Sequence, residues 1–464
     1  MSRATAVQHP FFFATRIRRE QLVLGRRKKE TPLAGGGRRS AKATWFYLFL
    51  DTLIDGLGRT RYNEPRKAPV PYSRFVGQES SMHPPTQAVI LVAGASTRTH
   101  PLTIHRPKPL LPLLNKPILQ HTLEQLDGLV AEAILVVGFK REQIRQAFGS
   151  SFRSIRLSYC IQDQQRGTGH ALRQAGPWVR NGFFLLNGDD LIHRNDLNRL
   201  ACHRYAVLGQ PVPDPRPFVV LELDPEGYLT RIIEKPEVWS GNPLVNTGAF
   251  VLQPEVFAVL DKLQASARGE YEVVDIIQHL PGGERCKAVR TGEYWLPVGY
   301  PWKLLETSRF LLERSGGLAS DSRAGVTIKG AVIIGSGTVV EPGCTLGPWT
   351  TLGENCRVGV ETSLINCLVM DGVQIGSGCH LEETILAHGA AVGDNVRTLT
   401  RPEEAPSVHS MINGGPYDTG RATLGAVIGS DAQIAAGCRL YPGVKIWPGV
   451  KIAAGRQVRI DQVE

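Results

Sequence analysis

The 464-residue sequence has no run of about 20 consecutive apolar residues, the length a membrane-spanning helix needs. Its eight cysteines include no Cys-x-x-Cys pair, and no secretory leader is evident. The first absence excludes an ordinary helical membrane protein, and no membrane partner is expected. The second argues for reduced, intracellular thiols and a cytoplasmic location. Residues 82–464 also lack any excess of charge. The formal +10 resides wholly in residues 1–81, where 16 Lys and Arg face 6 Asp and Glu. A balanced remainder offers no general surface for a polyanion, so no nucleic-acid partner is expected. The basic segment 1–81 contains "RIRRE", "GRRKKE" and "GGGRRS", and its one apolar patch, "WFYLFL", is cut short by Asp51. Such a start suits a transit peptide or a nucleic-acid arm. Met82, directly before the first expected strand, favours a dispensable extension or over-extended reading frame.

What is present is two kinds of periodicity. From residue 86 to about 315, strand-like runs alternate with helical ones: "AVILVA", "PILQHTLEQL", "AILVVG", "REQIRQAF", "IRLSYCI", "GHALRQA" and "FFLLNGDD". That order predicts an α/β domain, a Rossmann-like parallel sheet covered on both faces. The Pro-rich "GQPVPDPRP" at 209–217 reads as a loop before a hairpin, "FVVLELDPEGYLTRIIEKP". After "GGLASDSRAG" the period changes. Ile328, Ile334, Val340, Leu346, Leu352, Val358 and Leu364 recur at six, and so do Ile428, Ile434, Leu440, Ile446, Ile452 and Val458. Neither helix nor strand repeats at six. A triangular coil does, which predicts a left-handed parallel β-helix over 322–464. The two runs are out of phase, so a distortion or insertion near 398–422 is expected. Thr338, Cys344, Thr350 and Cys356, four residues after the column aliphatics, read as packing residues.

The stretch "GASTRTHPLTIHRPKPLL" follows the first strand. It combines a turn of backbone N–H groups with Arg98 and with Lys108 locked between prolines, a combination that suits a polyphosphate. The plain alternative is a Ser/Thr cap before a helix. The string resembles the signature of sugar-1-phosphate nucleotidylyltransferases, G-x-G-T-R followed by P-L-T and P-K-x-L-L-P. The likeness continues through "NKPILQHTLEQL", "QDQQRGTGHAL", "LNGDDLI", "IIEKP", "VNTGAF", "GEYEVVDII" and "YWLPVGYPWKLLE". It is most similar to the bifunctional UDP-N-acetylglucosamine pyrophosphorylase/glucosamine-1-phosphate acetyltransferases and to related glucose-1-phosphate thymidylyltransferases.

The resemblance implies that Gly94, Ala95, Ser96 and Thr97 form the triphosphate loop, with Arg98 and Lys108 neutralising the departing pyrophosphate. It assigns Gln162, Gly167 and Thr168 to the pyrimidine base, and Asp189 to Mg²⁺, though Asn-Gly-Asp is also ordinary turn chemistry. It places Glu234, Lys235, Gly227, Asn246 and Thr247 around the sugar and its phosphate. The substrates implied are UTP or dTTP and a sugar 1-phosphate. Two departures stand out: Ser96 where relatives have glycine, and Pro297 where they place a second metal-ligating aspartate. The latter motivates a rival reading, a non-catalytic nucleotide-sugar-binding homologue. The coil implies homotrimer assembly. Acetyl transfer from acetyl-CoA is a further possibility, with His380, His388 and His409 as candidate bases, although the family's supporting motifs are poor here.

Overall fold

The computed structural model describes residues 84–266, 269–315 and 324–463. The basic N-terminal segment and most of "GGLASDSRAG" lie outside the described residues. Strands β1 (Gln87–Val92), β2 (Glu132–Val137), β3 (Ile155–Ile161) and β4 (Phe183–Asn187) form the parallel heart of a ten-stranded sheet, in spatial order β3-β2-β1-β4. β1, β2 and β4 are apolar at consecutive positions because both faces of the sheet are covered. Ile90 and Leu135 pack with Leu123 of helix α1 (Ile118–Leu126) on one face, and Val89 and Ile134 with Leu172 of α2 (Thr168–Ala175) on the other.

Downstream come β5 (Asp190–Ile192), β6 (Ala206–Pro211), the hairpin of β7 (Val219–Leu223) and β8 (Leu229–Glu234), and β9 (Leu244–Leu252). β9 runs antiparallel to β4, β6 and β7. The stretch 209–217, expected as a loop, begins inside β6, where Gly209, Gln210 and Pro211 pair with Asn246, Val245 and Leu244. On its other side β6 has a partner only as far as Gly209, so the missing N–H of Pro211 deprives no ladder of a donor.

From Thr327 the chain winds into three parallel sheets of seven, six and six strands, the expected β-helix. Leu346, Leu352, Val358, Leu364, Ile428, Ile434 and Leu440 share one buried core. The small residues at the corners pack as expected and also make hydrogen bonds. Thr338 Oγ1 donates to Gly353 O at 2.6 Å, Cys344 Sγ to Gly359 O at 3.0 Å and Cys356 Sγ to Met370 O at 3.1 Å. All eight cysteines are free, and seven are buried. The loss of phase has two sources. The step from coil to coil shortens from 18 residues (Val332↔Thr350) to 17 (Thr351↔Leu368), then lengthens once to 42 (Ile385↔Val427). The long step carries an antiparallel hairpin, His409–Ile412 with Gly415–Asp418.

A single apolar cluster joins the sheet domain to the coil. Leu111, Leu113 and Ile118 meet Trp302 and Leu305 of α3 (Pro301–Arg314), together with Leu368, Met370, Ile385 and Val427 of the β-helix. Directional contacts fix the angle of approach. The Arg309 guanidinium lies 3.8 Å from the Trp349 ring centroid, and Asn115 Nδ2 donates to Leu352 O at 2.6 Å. Arg421, reaching out of the long step, donates to Glu306 of α3 at 2.9 Å and to Glu383 at 2.7 Å. Burial pushes the Glu306 carboxyl up, but the charges of Lys303 and Arg421 outweigh it and hold the group below its ordinary range. Removing Arg421 would leave Glu383 without this ion partner and Glu306 with Lys303 in its place, and taking one partner out of a largely buried ion pair costs more than the pair is worth. Arg421→Gln is therefore expected to lower stability to urea by about 3 kcal/mol at pH 7. A carboxyl whose folded pKa is depressed contributes stability only above its unfolded value. The gap between wild type and variant should thus narrow as pH falls through the carboxylate range, and a constant gap would show that the ion triad is not its source.

Candidate active site

β1 and β4 are neighbours in parallel register, with Leu91 opposite Asn187, so the loops after them leave the sheet at the same edge. Loop 93–98 presents Gly94, Thr97 and Arg98 to solvent, with Ala95 and Ser96 half-buried. Ser96 has φ 54° and ψ 49°, the left-handed region that glycine enters freely and serine at some cost. Its conformation is held by its carbonyl, which accepts from Thr99 N at 3.1 Å, Thr99 Oγ1 at 2.7 Å and Thr103 Oγ1 at 2.9 Å. The alternative of a capped helix does not hold. Only a three-residue 3₁₀ turn, Thr97–Thr99, follows, and the Ser96 side chain makes no capping bond.

Lys108 is buried in a second 3₁₀ turn, and its Nζ donates to Asp189 Oδ2 at 2.6 Å. Asp189 stands just past β4, after Gly188, where a Cβ would collide with Val92 and the Leu91 carbonyl. Burial would raise the Asp189 carboxyl, but Lys108 and, further off, Arg98 outweigh it, so the group sits below the usual carboxylate range. Its neighbour Asp190 is pushed the other way, well above that range, by burial and by the charge of Asp189. Two adjacent carboxyls are thereby split into an anion and a group that favours its proton. Asp190 escaped sequence reasoning because nothing local tells a buried second aspartate from a turn residue. Strand β10 (Trp295–Pro297) pairs antiparallel with β5, setting Pro297 opposite Asp190, and Val298 N donates to Asp189 O at 3.1 Å. The proline therefore occupies the rim of this site.

Among the described residues, no group of three or more His, Cys, Asp or Glu side chains could hold a metal ion. Mg²⁺ here would take one carboxylate and complete its shell with phosphate oxygens and water, as this ion commonly does. Asp189 suits that role, since it is anionic and its side chain is 38% exposed.

Gln162 is buried beside the loop, and its Nε2 donates to Gly167 O at 3.1 Å and lies 3.0 Å from His170 Nδ1. Gly167, at φ 94°, leaves no room for a side chain because a Cβ would strike the Tyr271 backbone. Thr168 is engaged structurally: its Oγ1 accepts from Val273 N at 3.1 Å, tying this turn to segment 270–273.

The residues expected around the sugar divide. Glu234 ends β8 opposite Val219, and Lys235 follows with φ 45°. Val220 pairs with Val245, so Asn246 lies at the same end of the sheet. Gly248, two residues on, packs against the Asn187 side chain and so links this row to the Asp189 turn. Two residues do not join them. Gly227 sits in the turn between β7 and β8, at the far end of the hairpin from Glu234, with the whole of β8, about 17 Å by strand rise, between them. Its glycine serves that turn, at φ 81°. Thr247 is buried, and its hydroxyl donates to Leu208 O at 2.9 Å across a bulge, so it braces β9 rather than facing a ligand.

The three histidines are scattered. His380 lies in a coil strand opposite Ser363, and His409 is exposed on the hairpin. His388 Nδ1 is 3.4 Å from Asp371 Oδ2, and its Nε2 is buried without a hydrogen-bond partner. It lines a cleft of about 480 Å³ against His105, Arg106 and Gln143 of the sheet domain.

Comparison with known proteins agrees with this geometry. The nucleotidyl transferase family matches residues 87–314, and the GMPPB C-terminal domain matches residues 328–402. The bifunctional protein GlmU of Methanocaldococcus jannaschii is 31% identical over 365 residues, covering 75% of this chain and 88% of that protein. A bifunctional sugar-1-phosphate nucleotidylyltransferase/acetyltransferase of Sulfurisphaera tokodaii is 28% identical over 74% of this chain and 90% of its own. The UTP–glucose-1-phosphate uridylyltransferase AglF of Haloferax volcanii is 34% identical over 49% of this chain and 98% of its own. Sheet order, loop chemistry and sequence thus converge, and the chain belongs to the nucleotidyl transferase family, among the sugar-1-phosphate nucleotidylyltransferases in which a β-helix follows the catalytic fold.

Proposed function

We propose that the protein transfers a nucleotidyl group from UTP or dTTP to a sugar 1-phosphate, releasing pyrophosphate. The observation that carries this reading is the Lys108–Asp189 pair, set under an amide-rich loop where β1 and β4 end. A phosphate oxygen of the sugar phosphate attacks the α-phosphorus in line, and pyrophosphate leaves. A phosphate nucleophile needs no general base, so positioning and charge neutralisation supply the rate. Loop 94–97 cradles the triphosphate, and Arg98 and Lys108 neutralise its leaving end. Gln162 and the backbone beside Gly167 meet the base, while Glu234, Lys235 and Asn246 hold the sugar phosphate. When bound, Mg²⁺ would be held by Asp189 and would supply charge neutralisation at the phosphates.

The β-helix, in this reading, mainly assembles the chain into a homotrimer within the cytoplasm. Acetyl transfer is the less favoured second activity, since the family's supporting motifs are poor here and His380, His388 and His409 are scattered.

The test is pyrophosphate release from each triphosphate against a panel of sugar phosphates. Wild type should turn over at least one pyrimidine pair, and Asp189→Asn should lose about 100-fold or more in kcat, the scale of a removed electrostatic stabiliser. Nucleotide-sugar binding without release for any pair would favour a non-catalytic homologue. A second expectation concerns the rim. Pro297→Asp places a carboxylate opposite Asp190 at the rim of the Asp189 site and should raise turnover at saturating Mg²⁺, and an unchanged or lower rate would show that the proline is no handicap.

A further inference from the structure

A hairpin that belongs to the β-helix reaches the triphosphate loop. Its base is fastened to the next coil: Ser410 Oγ donates to Gly443 O at 2.8 Å, and the Lys445 ammonium donates to Met411 O. Its second strand carries Tyr417, whose ring stacks on Tyr300 with centroids 4.9 Å apart and lies 5.9 Å from Trp302. Tyr300 and Trp302 stack in turn at 4.8 Å, their planes within 7°, and Trp302 is fully buried at the start of α3. The guanidinium carbon of Arg98 stands 5.3 Å from the Tyr300 ring centroid. Three aromatic rings, two from the sheet domain and one from the coil, thus meet beside the arginine of the loop.

We propose that Tyr417 is a positioning residue for nucleotidyl transfer: it pins the Tyr300 ring as a platform on which Arg98 is set in place for the triphosphate. This rests on reading loop 93–98 as the triphosphate site. An aromatic face attracts a guanidinium through its quadrupole, and a ring packed against two others that also touch each other keeps that face turned to one direction. A long cation ordered before the ligand arrives forfeits less rotamer freedom on binding. Trp302 packs Tyr300 from one direction and Tyr417 from another, so the β-helix completes a cluster that the sheet domain only begins.

The test is steady-state pyrophosphate release with triphosphate and sugar phosphate varied separately, for wild type, Tyr417→Ala and Tyr417→Phe, each also combined with Arg98→Ala. Tyr417→Ala should cost about threefold to tenfold in kcat/KM for the triphosphate, the range of a partly exposed cation–π contact. The KM for sugar phosphate should hold. Tyr417→Phe keeps the ring but loses the hydrogen bond between the two tyrosine side chains, so it should recover part of the loss, and Tyr417→Ala should add nothing once Arg98 is alanine. An equal loss in both backgrounds, a matching rise in sugar-phosphate KM, or a phenylalanine as damaging as alanine would overturn the proposal. Should wild type release no pyrophosphate with any pair, the assigned reaction fails, and the positioning role of Tyr417 is judged by calorimetric UTP binding with the same variants and the same criteria. No triphosphate binding by wild type would overturn both.

Discussion

Parallel pairing of β1 with β4 is the constraint from which the site descends. Backbone hydrogen bonding fixes Leu91 beside Asn187, so the loop that carries Arg98 and the turn that carries Asp189 leave the sheet at the same rung. The loop that follows β1 then has one wall open to solvent, while the turn after β4 is pressed so tightly against Leu91 and Val92 that residue 188 must be glycine. The close approach brings a carboxylate within reach of a lysine that arrives from a separate turn. Lys108 is buried, so its charge acts on Asp189 with little screening, while burial and the Asp189 charge together leave Asp190 as the partner that holds its proton more tightly. One backbone register thereby sets the ionisation of two neighbouring carboxyls.

The β-helix depends on a different economy. Each strand is two or three residues long and could not stand alone. Stacking supplies every backbone partner, and hydroxyls and thiols at the corners give carbonyls of neighbouring coils a further donor. The coil is tied to the sheet domain through α3, whose apolar side joins the shared cluster and whose Glu306 meets Arg421. Helix, coil and hairpin consequently form one continuous support behind the loop that carries Arg98.

Much of this was legible in the sequence. Consecutive apolar runs announced a sheet buried on both faces, and a period of six announced the coil, because both patterns follow from local geometry. Lys108 and Asp189 could be named, but not their bond, since 81 residues separate them and only the sheet order brings them together. The misplacements have physical causes. Gly227 looked like a ligand-facing glycine because a turn glycine and a site glycine are the same residue until the hairpin's length is known. Thr247 and Thr168 carry hydroxyls that spacing alone could not assign to backbone partners. Two coils that each drop one residue were invisible because a 17-residue turn keeps its columns while shifting the count. Tyr417 sat in a stretch that breaks the repeat and could be read only as an excursion.

The 42-residue step shows what a stacked coil tolerates. Its columns resume on the far side with Leu386 still beside Ile428, as though nothing had been added. Loop-closure cost grows only slowly with length, so a corner can accept a new segment while the rungs above and below stay intact. Such corners are graft points at which a solenoid can acquire an arm without redesign, and the arm's reach is set by which corner is opened. Here the opened corner faces the neighbouring sheet domain, so a coil can evolve influence over another fold's reaction by lengthening at one place.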